Sequence, residues 1–460
     1  MLTFNIINFE GLMNLKMDKL PFRCVFLLSL CALLATDHII MSVEANGTVY
    51  IKADGTIKGT DRILREGNVY TFTGNLYGPI VVEKDGIMID GAGFDLQGTG
   101  IGAGVNLTRR ANVTVKKIEI NNFFYGIYLN SSLNNNLSNN NIQANLYGIY
   151  LFESSNNTII GSNITKNNSF GIWFRCSSNN DINENRISEN VQDGIWLSCS
   201  SDNNRVSGNI IDSNGYGIRI DDHSNNILRN NDFVDNIYNF GVFGSLLPEF
   251  IQDIDESNTV NGKPIYYWIN KQDMTVPINA GYVALINCSG VTVKNLNLSS
   301  NGQGLLLAST TESSIVQNNI TDNIHGIYMC DSTNNTVIGN NITRNAANGI
   351  YLYYSLSNTF FHNNFINNTT PIYDVGDPSN IWDNGGEGNH WSNYEARYPN
   401  AAELDGSGIW NTPYVLDRKN KDNYPLVNII PEFPSWTILP LFFVVTLIGI
   451  AIKSKFFCPT

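Results

Sequence analysis

Short runs of alternating apolar and polar residues recur along the chain at a nearly fixed interval. Gly126-Ile-Tyr-Leu returns as Gly148-Ile-Tyr-Leu, Gly171-Ile-Trp-Phe, Gly194-Ile-Trp-Leu and Gly217-Ile-Arg-Ile, at spacings of 22, 23, 23 and 23 residues. A weaker copy follows at Gly241-Val-Phe. The pattern then resumes at Gly304-Leu-Leu-Leu, Gly326-Ile-Tyr-Met and Gly349-Ile-Tyr-Leu, 22 and 23 residues apart. Within a run the period is two: Ile172 and Phe174 share one face and Trp173 takes the other. Each copy carries further short runs, as in Asn157-Thr-Ile-Ile-Gly-Ser-Asn163-Ile164 and its counterpart Asn335-Thr-Val-Ile-Gly-Asn-Asn341-Ile342. A run this short cannot bury its apolar face alone. Stacking the copies as coils, about 4.8 Å apart, makes continuous parallel sheets around one core. The expected fold is all-β, a right-handed parallel β-helix with coils of about 22–24 residues. β-branched runs punctuated by Asn and Gly exclude a helical repeat, and the Leu spacing of a leucine-rich repeat is absent.

The Asn columns have a structural task in such a fold. Asn tolerates the left-handed backbone of a sharp corner, and its amide can bond to the Asn one coil above. The sequons at Asn46, Asn106, Asn112, Asn163, Asn319 and Asn341 belong to the same pattern, so most are expected in these ladders rather than as glycan acceptors. The pattern divides the chain into an N-terminal module with the first coils (46–125), regular coils (126–244), an aromatic insert (245–280), a second run of coils (281–370) and a capping module (371–430).

The two ends differ from the body. Lys19 and Arg23 precede an apolar run from Cys24 to Ala35, too short to span a bilayer, and Val43-Glu44-Ala45 suits cleavage. Residues 1–45 therefore read as a signal peptide, with Met17 an alternative start. At the other end, 431–460, Trp436–Ile452 is an apolar stretch near the lower limit for a transmembrane helix, followed by Lys453 and Lys455. The expected location is the extracellular surface, with the C-terminus anchored in the membrane. The formal net charge of −13 and the lack of a basic stripe argue against a nucleic-acid partner. Seven Cys without a CxxC pair give no zinc or redox motif. Cys176 and Cys199 lie one coil apart and are expected to stack, as a bridge or as two free thiols.

Pro431-Glu432-Phe433 with its apolar segment and basic tail resembles the PEF-CTERM sorting signals of archaeal surface proteins, which implies an archaeosortase as partner. The coils, Val49-Tyr-Ile-Lys-Ala-Asp-Gly, Asn261-Gly-Lys-Pro-Ile-Tyr-Tyr-Trp268 and Asn389-His-Trp-Ser-Asn-Tyr394 resemble the PbH1-repeat coils of the NosD-like family, also called carbohydrate-binding and sugar-hydrolase domains. That resemblance covers roughly 46–428 and implies the fold; it does not settle an activity.

Three sets of residues could carry chemistry. Arg219-Ile-Asp221-Asp222-His223 breaks the polar corner pattern, and Asp221, Asp222 and His223 are the candidate acid–base residues of a sugar-processing site, with Asp181, Glu184 or Asp202 on neighbouring coils. Asp222 aligns with Cys199 and Cys176, which allows it to face inward. Tyr128, Tyr150, Trp173 and Trp196 fall at the third position of successive copies, where outward alternation makes an aromatic stripe. The stripe is open for stacking sugar rings or is covered by Tyr266, Tyr267 and Trp268. Glu403, Asp405, Ser407 and Asn411 place oxygens as the start of a calcium loop would. The five His form no cluster suited to copper. The leading expectation is a non-catalytic surface protein that binds carbohydrate or other cell-envelope polymers. A polysaccharide lyase, hydrolase or epimerase and a NosD-like metal-maturation factor are the alternatives.

Overall fold

The computed structural model describes residues 47–376 and 379–431. The expected leader and nearly all of the expected anchor segment lie outside them. Among the described residues no helix is long and apolar enough to cross a membrane.

The body is a parallel β-solenoid of about 15 turns. A typical coil has three strands, such as Thr158–Ile160, Asn163–Thr165 and Ile172–Arg175. Successive coils pair in register, so Ile149, Ile172, Ile195 and Ile218 form one column and Tyr150, Trp173 and Trp196 another. The aliphatic columns fill the interior, where Ile159, Ile164, Ile172 and Phe174 are wholly buried. Truncating one of them to Ala costs about 2–5 kcal/mol.

Corners explain the Asn and Gly of the repeat. Asn135, Asn157, Asn180, Asn204 and Asn226 form one ladder. In it each side-chain carbonyl accepts from the Asn backbone N–H of the preceding coil, at 2.9–3.0 Å. The Asn145–Asn167–Asn190–Asn214–Asn236 column does the same at a second corner. These amides satisfy backbone groups that a bend leaves without a sheet partner. Among the sequon positions, Asn163 lies on a strand rather than in a corner column: it is exposed, and its Nδ2 donates to Asn141 Oδ1, one coil away, at 3.0 Å. It opens a strand whose middle residue, Ile164, points inward, so period two turns Asn163 outward. The Gly of each Gly-Ile copy is needed for close approach. A Cβ on Gly148 would sit 2.4 Å from the carbonyl oxygen of Gly171.

The regular coils end at the strand Tyr238–Phe243. The chain then makes an antiparallel hairpin, Thr259–Val260 against Lys263–Ile269, and the latter strand carries the sheet on into the second stack by parallel pairing. Tyr266, Tyr267 and Trp268, expected in an insert between two stacks, thus lie in the first strand of the second stack. This sheet continues through Tyr282–Ile286, Gln303–Ala308 and His325–Cys330. Its two faces serve two cores. Val283, Leu285, Leu305, Leu307, Ile327 and Met329 fill the second stack, whereas Ala284, Ile286, Leu306, Ala308 and Tyr328 pack into the core of the first. The outer face of one solenoid therefore closes the end of the other. Hydrogen bonds sew the joint: Gln303 Nε2 donates to the Val242 carbonyl at 2.9 Å, and Tyr328 Oη to that of Gly244 at 3.0 Å. The far end is closed by stacked rings, with Trp391 4.2 Å from Tyr414 and 4.5 Å from Phe365.

Candidate functional site

The outward face of the Gly-Ile sheet in the first stack is paved with rings. Tyr128, Tyr150, Trp173 and Trp196 stack in coil order, with centroids 5.6, 4.5 and 5.2 Å apart. Trp173 and Trp196 are nearly coplanar in orientation, at 4°. A second column runs beside them. Tyr125, Tyr147 and Phe170 stand immediately before the Gly of each copy, with centroids 5.4 and 5.7 Å apart. The columns interlock, Tyr125 on Tyr128 at 4.9 Å and Phe170 on Trp196 at 5.0 Å. Simple alternation places the residue before Gly inward. The ladder skips the Gly, pairing Tyr125 with Tyr147 and then Ile127 with Ile149, and this skip turns the preceding residue outward. The signal was in the chain, as an aromatic before Gly126, Gly148, Gly171 and Gly217.

Mutual cover leaves most of these rings half-buried although they lie on the outside of the solenoid, and it buries Tyr150 and Phe170 down to 7% exposure. Desolvation pushes the Tyr125 phenol up to about 12. The phenols are uncharged at neutral pH, and the charge beside them comes from the Arg175 guanidinium, which bonds to Tyr150. The described structure gives Tyr266, Tyr267 and Trp268 other neighbours: Tyr267 donates to the Phe250 carbonyl at 2.6 Å, and Tyr266 to Asn279 Oδ1 at 3.0 Å.

At its C-terminal end the paving gives way to charge. Asp193 replaces the aromatic of one column and Arg219 that of the other. Arg219 lies 5.3 Å from the Trp196 ring centre and 5.5 Å from that of Phe243. Its guanidinium holds Asp221 through Nε at 2.9 Å and Nη2 at 2.7 Å, and Trp196 Nε1 donates to the same carboxylate at 3.0 Å. Burial pushes Asp193 up to about 7, against the pull of Arg219. The buried Tyr216 hydroxyl has no partner.

The structure separates the three candidate acid–base residues. Asp221 is occupied by Arg219 and Trp196. Asp222 turns outward rather than inward, because it takes a left-handed corner, φ +59°. Burial and the nearby Glu249 and Asp221 raise its pKa. His223 points into the protein, 2% exposed, with both ring nitrogens unpartnered, and burial lowers its pKa. Asp202 accepts from the Ser224 N–H at 2.8 Å. In the loop read for calcium, three of the four oxygens serve the loop itself. Glu403 Oε1 accepts from the Gly408 N–H at 2.8 Å, Asn411 Oδ1 from that of Ala402 at 3.2 Å, and Ser407 Oγ donates to the Leu404 carbonyl at 2.5 Å. Asp405 supplies the left-handed turn, φ +50°. Among the described residues no three His, Cys, Asp or Glu side chains converge as a metal site.

Comparison with known proteins gives similarity in form at low identity. The A-module of a mannuronan C-5 epimerase from Azotobacter vinelandii is 14% identical, covering 68% of this chain and 87% of its own, with a TM-score of 0.32. An alginate lyase from Paenibacillus is 14% identical, over 68% and 99%, with a TM-score of 0.35. PfbA, a surface adhesin of Streptococcus pneumoniae, is 16% identical, over 65% and 76%, with a TM-score of 0.29. No curated protein matches the chain. The family model described as periplasmic copper-binding protein (NosD) matches residues 54–266 and 269–396, nearly the whole of the described solenoid, and the chain belongs to the NosD family.

Proposed function

We propose that this chain is an exported, non-catalytic protein that binds carbohydrate on the aromatic face of its first stack. The observation that carries the reading is the double column of interlocked rings from Tyr125 to Trp196. Rings already ordered by their neighbours lose little entropy on binding, and their outward edges form a continuous apolar strip against which a sugar polymer can lie. The coil spacing sets successive ring edges about 5 Å apart along the solenoid, which suits an extended polymer. Charge selects among polymers. The chain carries −13, and Asp193, Asp221, Asp222 and Glu249 gather where the paving ends, so a neutral glycan is favoured over a polyanion. The periplasmic location in the family description and the leader-like N-terminus both support export.

The same description names copper. The described residues do not fit a copper centre of three or more ligands: His325 Nδ1 is held by Asn348 at 3.0 Å, His362 Nε2 by Glu387 at 2.5 Å, and His223 and His390 stand apart from them on other coils. Binding of neutral and acidic polysaccharides, followed by affinity electrophoresis, tests the proposal. Retardation by a neutral polymer, lost in Trp173→Ala/Trp196→Ala, supports it. Unchanged retardation in that double variant refutes the assignment to this face.

A further inference from the structure

Cys176 and Cys199 lie at the same corner of successive coils, just beyond the aromatic face. The Cys176 N–H donates to the Ser198 carbonyl at 3.1 Å, so the two residues are held in parallel register. In-register neighbours on adjacent strands are about 4.8 Å apart, inside the Cα range that a disulfide spans. Side chains on parallel strands ordinarily point past each other. Here both residues take the left-handed conformation, φ +51° and +58°, which turns the side chains out of the strand direction. The two Sγ atoms come within 2.7 Å, closer than nonbonded contact. Cys199 is exposed and Cys176 half-buried, with its thiol pushed up to about 11 by burial and by Cys199. The remaining described thiols have no such neighbour: Cys288 and Cys330 are buried against the carbonyls of Trp268 and Ser245.

The coil at this point is also irregular. The ladder step from Asn180 to Asn204 is 24 residues where the two before it are 22 and 23, and the added length is taken up by two consecutive left-handed residues, Cys199 and Ser200.

We infer that Cys176 and Cys199 are a dithiol built to close into a disulfide that staples this irregular corner to the coil before it. Closure proceeds by exchange with an external disulfide. The exposed Cys199 thiolate attacks one acceptor sulfur, the acceptor S–S bond breaks and one thiolate leaves. Cys176 then attacks Cys199 Sγ and expels the second. The acceptor is reduced to two thiols and takes up the two protons, while the protein gains one S–S bond.

Trypsin cuts after Arg175, Arg186 and Arg205, so the two cysteines fall on different peptides. The full-length reduced protein is treated with oxidised glutathione, alkylated and digested without reductant. The expected product is a Cys176–Cys199 linked pair, lighter than the two free peptides by two hydrogens and separated by reductant. Cys288→Ser should keep that link, and Cys176→Ser should stop at glutathione on Cys199. Recovery of both peptides alkylated, or of Cys199 carrying glutathione in the unsubstituted protein, overturns the inference. As a second reading, closure should slow proteolytic cleavage between residues 199 and 203 severalfold; equal rates in the oxidised and reduced forms overturn the stapling role.

Discussion

The same motif meets different cover in the two stacks. In the first, the third residue of each Gly-Ile copy is Tyr128, Tyr150, Trp173 or Trp196 and looks outward over a half-buried paving. In the second, the corresponding Leu306 and Tyr328 pack into the core of the first stack, and Tyr351, one coil further on, is only partly covered by it. Strand, register and coil length are alike. The difference is what covers the face. A position in a solenoid repeat fixes the direction of a side chain but not whether that direction ends in water, and only faces that end in water are available for binding.

The comparison is broken most sharply by charging the third position in each stack. Leu306→Asp buries a carboxylate between two cores and should cost more than about 4 kcal/mol, enough to abolish folding or halve the denaturant midpoint. Tyr128→Asp should cost no more than about 1–2 kcal/mol, because its partly exposed ring lies outside the core and a carboxylate there stays hydrated. Equal losses in urea melts would show that the two faces are not distinct. A pH effect comes next. Asp193 binds its proton more tightly in the folded chain, about 7 against 3.8. Its stabilising contribution is therefore complete below about pH 4 and is lost as pH rises to 7, on the order of a few kcal/mol. Asp193→Asn should flatten the fall in melting temperature between pH 5 and pH 8; an unchanged slope assigns that fall to other groups, Asp422 first, whose carboxyl is also pushed up to about 7 by burial. Trp173→Ala should weaken neutral-glycan binding about tenfold, the loss expected when one stacked ring worth about 1–1.5 kcal/mol is removed, with the fold intact by circular dichroism. The smallest effect is expected in the 403–411 loop, where Glu403, Ser407 and Asn411 already bond within the loop. A calcium chelator should leave the melting midpoint within about 1 °C, since only a ligand bound to the native state shifts it; a larger drop would favour a calcium site there.

Much of the solenoid was legible because its period is local. The 22- and 23-residue spacings gave coil length and register, and alternation gave Ile172 and Phe174 to the core and Trp173 to the surface. Three features escaped because they depend on more than alternation. The skip at Gly hid the outward Tyr125, Tyr147 and Phe170. The hairpin at Thr259–Val260 made a strand of what reads as an aromatic insert. The joint between stacks is a contact between segments some 60–85 residues apart, such as Gln303 with Val242 and Cys330 with Ser245. It did leave a trace: Val283-Ala-Leu-Ile286 and Leu305-Leu-Leu307 are apolar without alternation, as strands buried on both faces are. The Asp221–Asp222–His223 cluster stood out as a break in the corner pattern, but sequence alone could not show that Arg219 holds the first and that the third points inward.

The Asn ladders bear on how such a chain can change its length. Several corner columns run through every regular coil, and each amide bonds to the coil beside it. An insertion of one whole coil extends all the columns and leaves every bond satisfied. An insertion of half a coil interrupts every column at once and moves apolar residues off the inner face. Length should therefore vary between related chains in whole-coil steps of 22–24 residues within the regular stack. At the joint, where each strand serves two cores, it should scarcely vary at all. Gene duplication can lengthen the aromatic face, and with it the polymer segment held, without redesigning a single contact.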